Sequence, residues 1–183
     1  MKTMIVISLL LLAAAALPWS VEVLAQQPRA EQIPGAPRLS ADDEKAIRDI
    51  LKDQETAWNK HDMEAFTKAF RDDAEGINVA GMYWRGRPAV RKHLVDFHAT
   101  FLKDCEEYLE EVQVRSLGDG YAMAVSIWKV DGFPGPGGID VPAERHRSTL
   151  VLAKGTDGWK VVHFHNTSIN EAALKGAAAA SKE

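Results

Sequence analysis

The chain has 183 residues, 46% of them hydrophobic, and a formal charge of -4. A pI near 5.9 gives no basic footprint, which argues against nucleic-acid binding and against adhesion to anionic membranes. Cys105 is the one cysteine, so an intramolecular disulfide is impossible and stability must come from core packing and subunit contacts.

Residues 1–25 have the layout of a secretory signal peptide: Lys2, an apolar run from Ile5 to Leu17, then Val23-Leu24-Ala25 as a small-residue cleavage site before Gln26. The run falls short of the roughly 20 apolar residues that span a bilayer, and Glu22 soon follows. No Cys follows the run, which argues against a lipoprotein. The expectation is an exported soluble protein, periplasmic or secreted, with no membrane attachment once the signal is removed. The remainder suits one domain of about 100–150 residues with tails.

Residues 26–39 are rich in Pro and polar side chains and read as a flexible linker. Ser40 is a helix N-cap, followed by Asp42, Asp43 and Glu44 at the positive helix end. The predicted helix runs to about Asn59, with an apolar stripe of Ile47, Ile50, Leu51, Ala57 and Trp58. Gln54 falls on that stripe: either it sits at the wet edge, or it points into a cavity. Asp62 caps a short helix whose buried side is Phe66, Ala69 and Phe70. Glu75 to Ala80 reads as a short strand, Gly81 as a turn and Tyr83-Trp84 as a second extended piece, with Trp84 a pocket wall. Pro88 opens a third helix with the stripe Val90, Leu94, Phe97 and Phe101. His93 and His98 flank it as surface or edge residues.

Strands follow: Glu106 to Ser116, Tyr121 to Val130, and a hairpin of Glu144–Lys154 with Trp159–Ile169. The intervening GFPGPGG run reads as a loop without regular structure, a lip over a cavity. Residues 171–183 form an Ala-rich tail or frayed helix. Three helices and then long antiparallel strands imply an α+β domain over residues 40–170, with helices packed on one face of a sheet.

The runs AWNKHDMEAFTKAFRDDAEGINVAG, WRGRPAVRKHL and GWKVVHFHNTSIN resemble the nuclear-transport-factor-2-like superfamily, and within it the SnoaL-like and ketosteroid-isomerase-like branch. The resemblance implies a cone: a curved, mainly antiparallel sheet against three N-terminal helices, commonly homodimeric. It covers about Asp42 to Ile169 and does not fix function, because this fold hosts isomerases, cyclases, dehydratases, hydrolases and binding modules. It places Asn78 where the isomerases carry their proton-moving Asp, and Gln54 where they carry an oxyanion-binding Tyr. An amide is no base near neutral pH, so isomerisation of that kind is not expected, while Gln54 and Asn78 become candidates for the polar lining of a cavity.

His163 and His165 share one face of the last strand, with Val162, Phe164 and Asn166 on the other. If Lys154 pairs with Trp159, Ser148 lies opposite His165 and His146 opposite Thr167. A one-residue slip moves His146 to the other face. Three converging histidines suit zinc, but hydrogen-bonded sheet residues are the commoner case, so neither metal nor cofactor is expected. Arg145 and Arg147 share a face, as exposed charges paired with Glu106 to Glu111 or as a carboxylate site. Cys105 lacks an activating partner and reads as structural.

The leading expectation is a domain that binds a small apolar or amphipathic molecule through Gln54, Trp58, Asn78, Trp84 and His146. The alternatives are an enzyme using His165 as its acid–base group and a non-catalytic dimeric assembly module with a filled cone.

Overall fold

The structure, a computed structural model, describes residues 37–180. The expected signal peptide and most of the expected linker lie outside the described residues. Helix α1 (Ala41–Asn59), helix α2 (Met63–Thr67), strand β1 (Phe70–Ile77), strand β2 (Tyr83–Arg85) and helix α3 (Arg87–His98) come first. Strands β3 (Glu107–Gly118) and β4 (Tyr121–Val130) follow. Two short strands, β5 (Phe133–Pro134) and β6 (Asp140–Val141), precede β7 (Glu144–Gly155) and β8 (Gly158–Ser168). Helix α4 (Glu171–Ala180) ends the described chain with no buried residue. Among the described residues, no helix is long and apolar enough to cross a membrane.

The main sheet has the order β2-β1-β8-β7-β4-β3. Every pairing is antiparallel except β1 with β8. This is the α+β cone that the sequence implies: a curved sheet against helices. Ile47 and Leu51 of α1 and Val90 and Leu94 of α3 meet Ala122, Ala124, Leu150, Leu152 and Val161 of the sheet in one core. Burying each Leu or Ile side chain contributes about 1.5–3 kcal/mol.

The N-caps form as expected: Ser40 accepts from the Asp43 amide and Asp62 from the Ala65 amide. Asp43 also reaches the final hairpin, accepting from Trp159 Nε1 at 2.8 Å and pairing with Lys154 at 2.6 Å. Those donors, Lys154 first, hold its carboxyl down to about 2.

Three local expectations are corrected. Phe70 belongs to β1 rather than to the short helix, because parallel pairing takes the chain from there: the Val161 amide donates to the Ala69 carbonyl at 2.8 Å, and Phe70 pairs with Val161. The GFPGPGG segment is not structureless; β5 and β6 pair across it, with a 3-10 turn at Pro136–Gly138. His98 is not a surface residue but 6% exposed. Its Nδ1 lies 2.8 Å from that of His61, its Nε2 is buried without a partner, and its ring meets Trp58 edge-on. Burial, and then His61, hold His98 down to about 4.

β8 carries a bulge at Val162. Leu152 pairs with Val161, yet the preceding Val151 pairs with His163. One extra residue in β8 reverses the facing of everything beyond it. Phe164 therefore points to the same side as Val161. It packs over Gly76 of β1 so closely that a Cβ there would lie 2.2 Å from Phe164 Cδ1. Gly76→Ala is expected to displace Phe164 and cost about 1–3 kcal/mol, measured by urea unfolding; a variant as stable as wild type would refute the packing argument.

Candidate ligand site in the cone

Inward-facing residues alternate along each strand, and along β7 they read Glu144, His146, Ser148, Leu150 and Leu152. One end of the strand therefore offers polar groups and the other fills the core. β8 repeats this gradient, running from Trp159 and Val161 through Phe164 to Asn166. On β4, Ser126 is buried and Trp128 donates its Nε1–H to Ser126 Oγ at 2.8 Å. The sheet and the helices enclose a cavity of about 370 Å³. Its walls are mainly aromatic and aliphatic: Trp58, Phe66, Phe70, Trp84, Phe97, Trp128 and Phe164 among them. Phe133, Pro136 and Val141 bring the β5–β6 segment to the same cavity.

Within that apolar wall lies one buried ionisable pair. His146 Nε2 is 3.2 Å from Glu107 Oε1, and the two residues are 7% and 5% exposed. Trp128 pairs with both Leu109 of β3 and His146 of β7, and Val130 pairs with both Glu107 and Glu144. Glu107 and His146 thus meet diagonally across β4. Burial pushes the Glu107 carboxyl up to about 8, with the charge of Glu55 adding to the effect. Burial also pulls His146 down to about 4. Near neutral pH both groups are uncharged, with the carboxylic acid donating to the imidazole Nε2.

Side chains of α1 hold Glu107 in place. Asn59 Oδ1 accepts from the Glu107 amide at 2.9 Å, and Asn59 Nδ2 donates to the Glu107 carbonyl at 2.9 Å. Glu55 accepts from the Leu109 amide at 2.9 Å, and Trp58 Nε1 donates to the Cys105 carbonyl at 3.2 Å. Gln54, on the inner side of the same helix, is 4% exposed and lines the cavity.

Of the residues singled out from sequence, Gln54, Trp58, Asn78, Trp84 and His146 all line the cavity. Asn78 has a second occupation: its Oδ1 accepts from the amides of Ala80 and Met82 and so closes the β1–β2 turn. Trp84 stacks on His93 with ring centroids 5.0 Å apart. His165 does not line the cavity. It is exposed, pairs with Thr149, and faces away from Phe164 and Asn166. The Lys154–Trp159 pairing is present, but the bulge at Val162 sets Ser148 opposite Asn166 and His146 opposite Ser168. The three histidines therefore do not converge, because His146 faces the cavity while His163 and His165 face the other side. Among the described residues no group of His, Cys, Asp and Glu is arranged to hold a metal.

Sequence reasoning missed Glu107, Trp128, Ser148 and Asn166. The available signal was parity: Glu107 lies two residues before Leu109, so an inward Leu109 implies an inward Glu107. Arg145 pairs with Glu110 at 2.8 Å, the surface ion pair expected for it. Cys105 is fully buried and burial pushes its thiol up to about 12, the character of a structural cysteine.

A SnoaL-like domain model matches residues 47–170. The chain belongs to the SnoaL-like domain family. Among solved structures it is similar to a protein of cystatin-like fold from Caulobacter vibrioides, at 32% identity and a TM-score of 0.71. That match covers 74% of this chain and 96% of the other. A domain of unknown function from Nostoc punctiforme is 22% identical at a TM-score of 0.65, over 79% and 89% of the two chains. A ketosteroid isomerase-like protein from Erwinia carotovora atroseptica is 16% identical at a TM-score of 0.59, over 72% and 99%. The last two likenesses concern the fold alone. No functionally curated protein matches the sequence.

The pair gives this SnoaL-like domain a signature in its stability. Glu107 binds its proton more tightly folded than unfolded, since about 8 lies above its ordinary 4.5. Its contribution is full below about pH 4.5 and is lost as pH rises through about 8. His146 has the opposite sign: its contribution is full above about 6.5 and is lost as pH falls through about 4. Glu107→Gln removes the first dependence. Relative to wild type, the variant is expected to gain stability steadily between about pH 5 and pH 9 in urea unfolding; a constant difference would refute the buried-acid assignment.

Proposed function

We propose that this SnoaL-like domain binds one small, largely apolar molecule inside the cone and fixes its polar end against Gln54, Glu107 and His146. The observation that carries the reading is the combination of a cavity of about 370 Å³ with aromatic walls and a single buried polar pair. Clefts of this size with a few convergent polar groups are the usual form of small-molecule sites. The hollow cone counts against a purely structural assembly module, for which a filled core was expected.

The neutral dye N-phenylnaphthylamine is a suitable probe, because Trp58, Trp84 and Trp128 in the wall can transfer excitation to it. Saturable binding of one dye per chain is expected. Ser148→Phe places a ring in the cavity and should weaken binding at least about tenfold, with the fold checked by circular dichroism. Absence of saturable binding, or equal binding by the variant, would refute the reading.

A second reading, an acid–base enzyme, is favoured by the same pair, a titratable couple in a cleft. His146, not the exposed His165, then stands nearest the chemistry. We further propose that the protein acts outside the cytoplasm as a homodimer after loss of residues 1–25. Sequencing of the mature N-terminus from the native host should begin at Gln26; a chain beginning at Met1 would refute export by cleavage.

A further inference from the structure

The cavity wall contains no Lys or Arg among its described residues; its ionisable groups are Glu107, Glu144 and His146. A carboxylate or phosphate ligand would find no cation there and would face two acidic side chains. Glu144 already accepts from Ser168 Oγ at 3.1 Å. Glu107 already faces His146 Nε2. The other nitrogen of the His146 ring, Nδ1, makes no hydrogen bond with any described residue, and neither does the Gln54 amide. Two groups able to donate thus line the cavity without partners, in a wall otherwise dominated by rings and aliphatic chains.

We propose that the cone recognises an uncharged, ring-sized ligand through a single neutral oxygen acceptor, a ketone or comparable carbonyl oxygen, which accepts a hydrogen bond from His146 Nδ1–H. This deepens the ligand-binding reading and rests on it.

The tautomer follows from the pair. With Glu107 held protonated by burial, its O–H donates to Nε2. A neutral imidazole carries one proton, so that proton then sits on Nδ1 and the ring becomes a donor toward the cavity. A carbonyl oxygen satisfies that donor without bringing a charge into the apolar site. An ammonium would have to draw Glu107 back to its charged form, against the burial that keeps it neutral. A hydrocarbon leaves the donor unpaired, which forgoes one hydrogen bond.

Three further titratable groups stand near the pair. Glu55 of α1 raises Glu107 and is itself paired with Lys52. Cys105 precedes β3 and stays protonated. Glu144 follows on β7. Glu107 is the group among these that changes charge as pH passes about 8. Once ionised it accepts from Nε2–H, the imidazole proton moves to that side, and the donor toward the cavity is lost.

The test is a ligand series on one two-ring scaffold: the hydrocarbon tetralin, the ketone α-tetralone, the tetralin carboxylate and the tetralin amine. Binding is measured by calorimetry on the mature protein. At about pH 6.5, below the ionisation of the acid, the ketone is expected to bind about tenfold tighter than the hydrocarbon. The carboxylate and the amine should bind at least tenfold weaker than the ketone. In His146→Leu the ketone should lose its advantage over the hydrocarbon to within about twofold. In wild type the advantage should disappear as pH passes about 8, whereas Glu107→Gln should show no such pH dependence. The pH profile stands as a test even where the leucine variant does not fold. If none of the four compounds binds, the ligand-binding reading falls and this inference with it. If tetralin binds but the ketone gains nothing, or the carboxylate or amine binds tightest, this inference alone is overturned.

Discussion

The site depends on how α1 is strapped to an edge strand. β3 ends the sheet, so one side of its backbone lacks a strand partner and needs other hydrogen bonds. α1 supplies them from side chains on one face. Arg48 donates to the Val112 carbonyl at 3.1 Å, Glu55 accepts from Leu109, Trp58 donates to Cys105, and Asn59 bonds both backbone groups of Glu107. Positions 48, 55 and 59 recur at seven and four residues, which keeps them on one side of a helix. The strap satisfies the edge and at the same time fixes the residue whose carboxyl enters the cavity. At its other end α1 is tied to the final hairpin through Asp43. The polar group of the site is therefore carried by regular elements held at both ends rather than by a loop, which favours precise placement.

A graded polarity along the strands then turns a packed cone into a hollow one. Toward Leu152, Ala122 and Val161 the inward residues close against Ile47 and Leu51 of α1. Toward Glu107, His146 and Asn166 the inward residues are polar and the helices stand off behind aromatic rings. Removing Glu107 and His146 from water is costly, and the two reduce that cost by meeting each other and staying uncharged. The same low-dielectric surroundings strengthen any hydrogen bond a ligand makes there.

Much of this was legible in the sequence, and the exceptions have specific causes. The caps at Ser40 and Asp62, the stripe of α1 and the extent of β4 follow from local rules that tertiary structure does not overturn. Gln54 and Trp84 were identified as cavity residues because a polar group on an apolar stripe and an indole beside a turn are local anomalies. His165 was placed in the cavity by a register that lacked one residue. The bulge at Val162 has no sequence mark such as a glycine, so strict alternation put His146 and His165 on one face when they lie on opposite faces. Glu107 was hidden by its neighbours: in a run with Glu106, Glu110 and Glu111 it looked like part of a solvated charged edge. Its burial depends on contacts with α1, 48 positions earlier in the chain, which no local pattern encodes.

The amides at Gln54 and Asn78 take on different meanings once their partners are known. Asn78 spends its carbonyl oxygen on a turn, and the two amides it binds would otherwise lack an acceptor. Its presence in the wall thus has a structural reason, and an Asp at that position would satisfy the same two donors. Gln54 has no such task, and a buried amide without partners costs about 1–3 kcal/mol unless a ligand or water in the cavity supplies them. A residue that stabilises the empty fold by becoming apolar, yet remains polar at the inner face of a helix, is accounted for by what occupies the cavity rather than by what surrounds it. By that argument Gln54 belongs with Glu107 and His146 as part of the recognition surface, and Asn78 belongs to the frame that holds it.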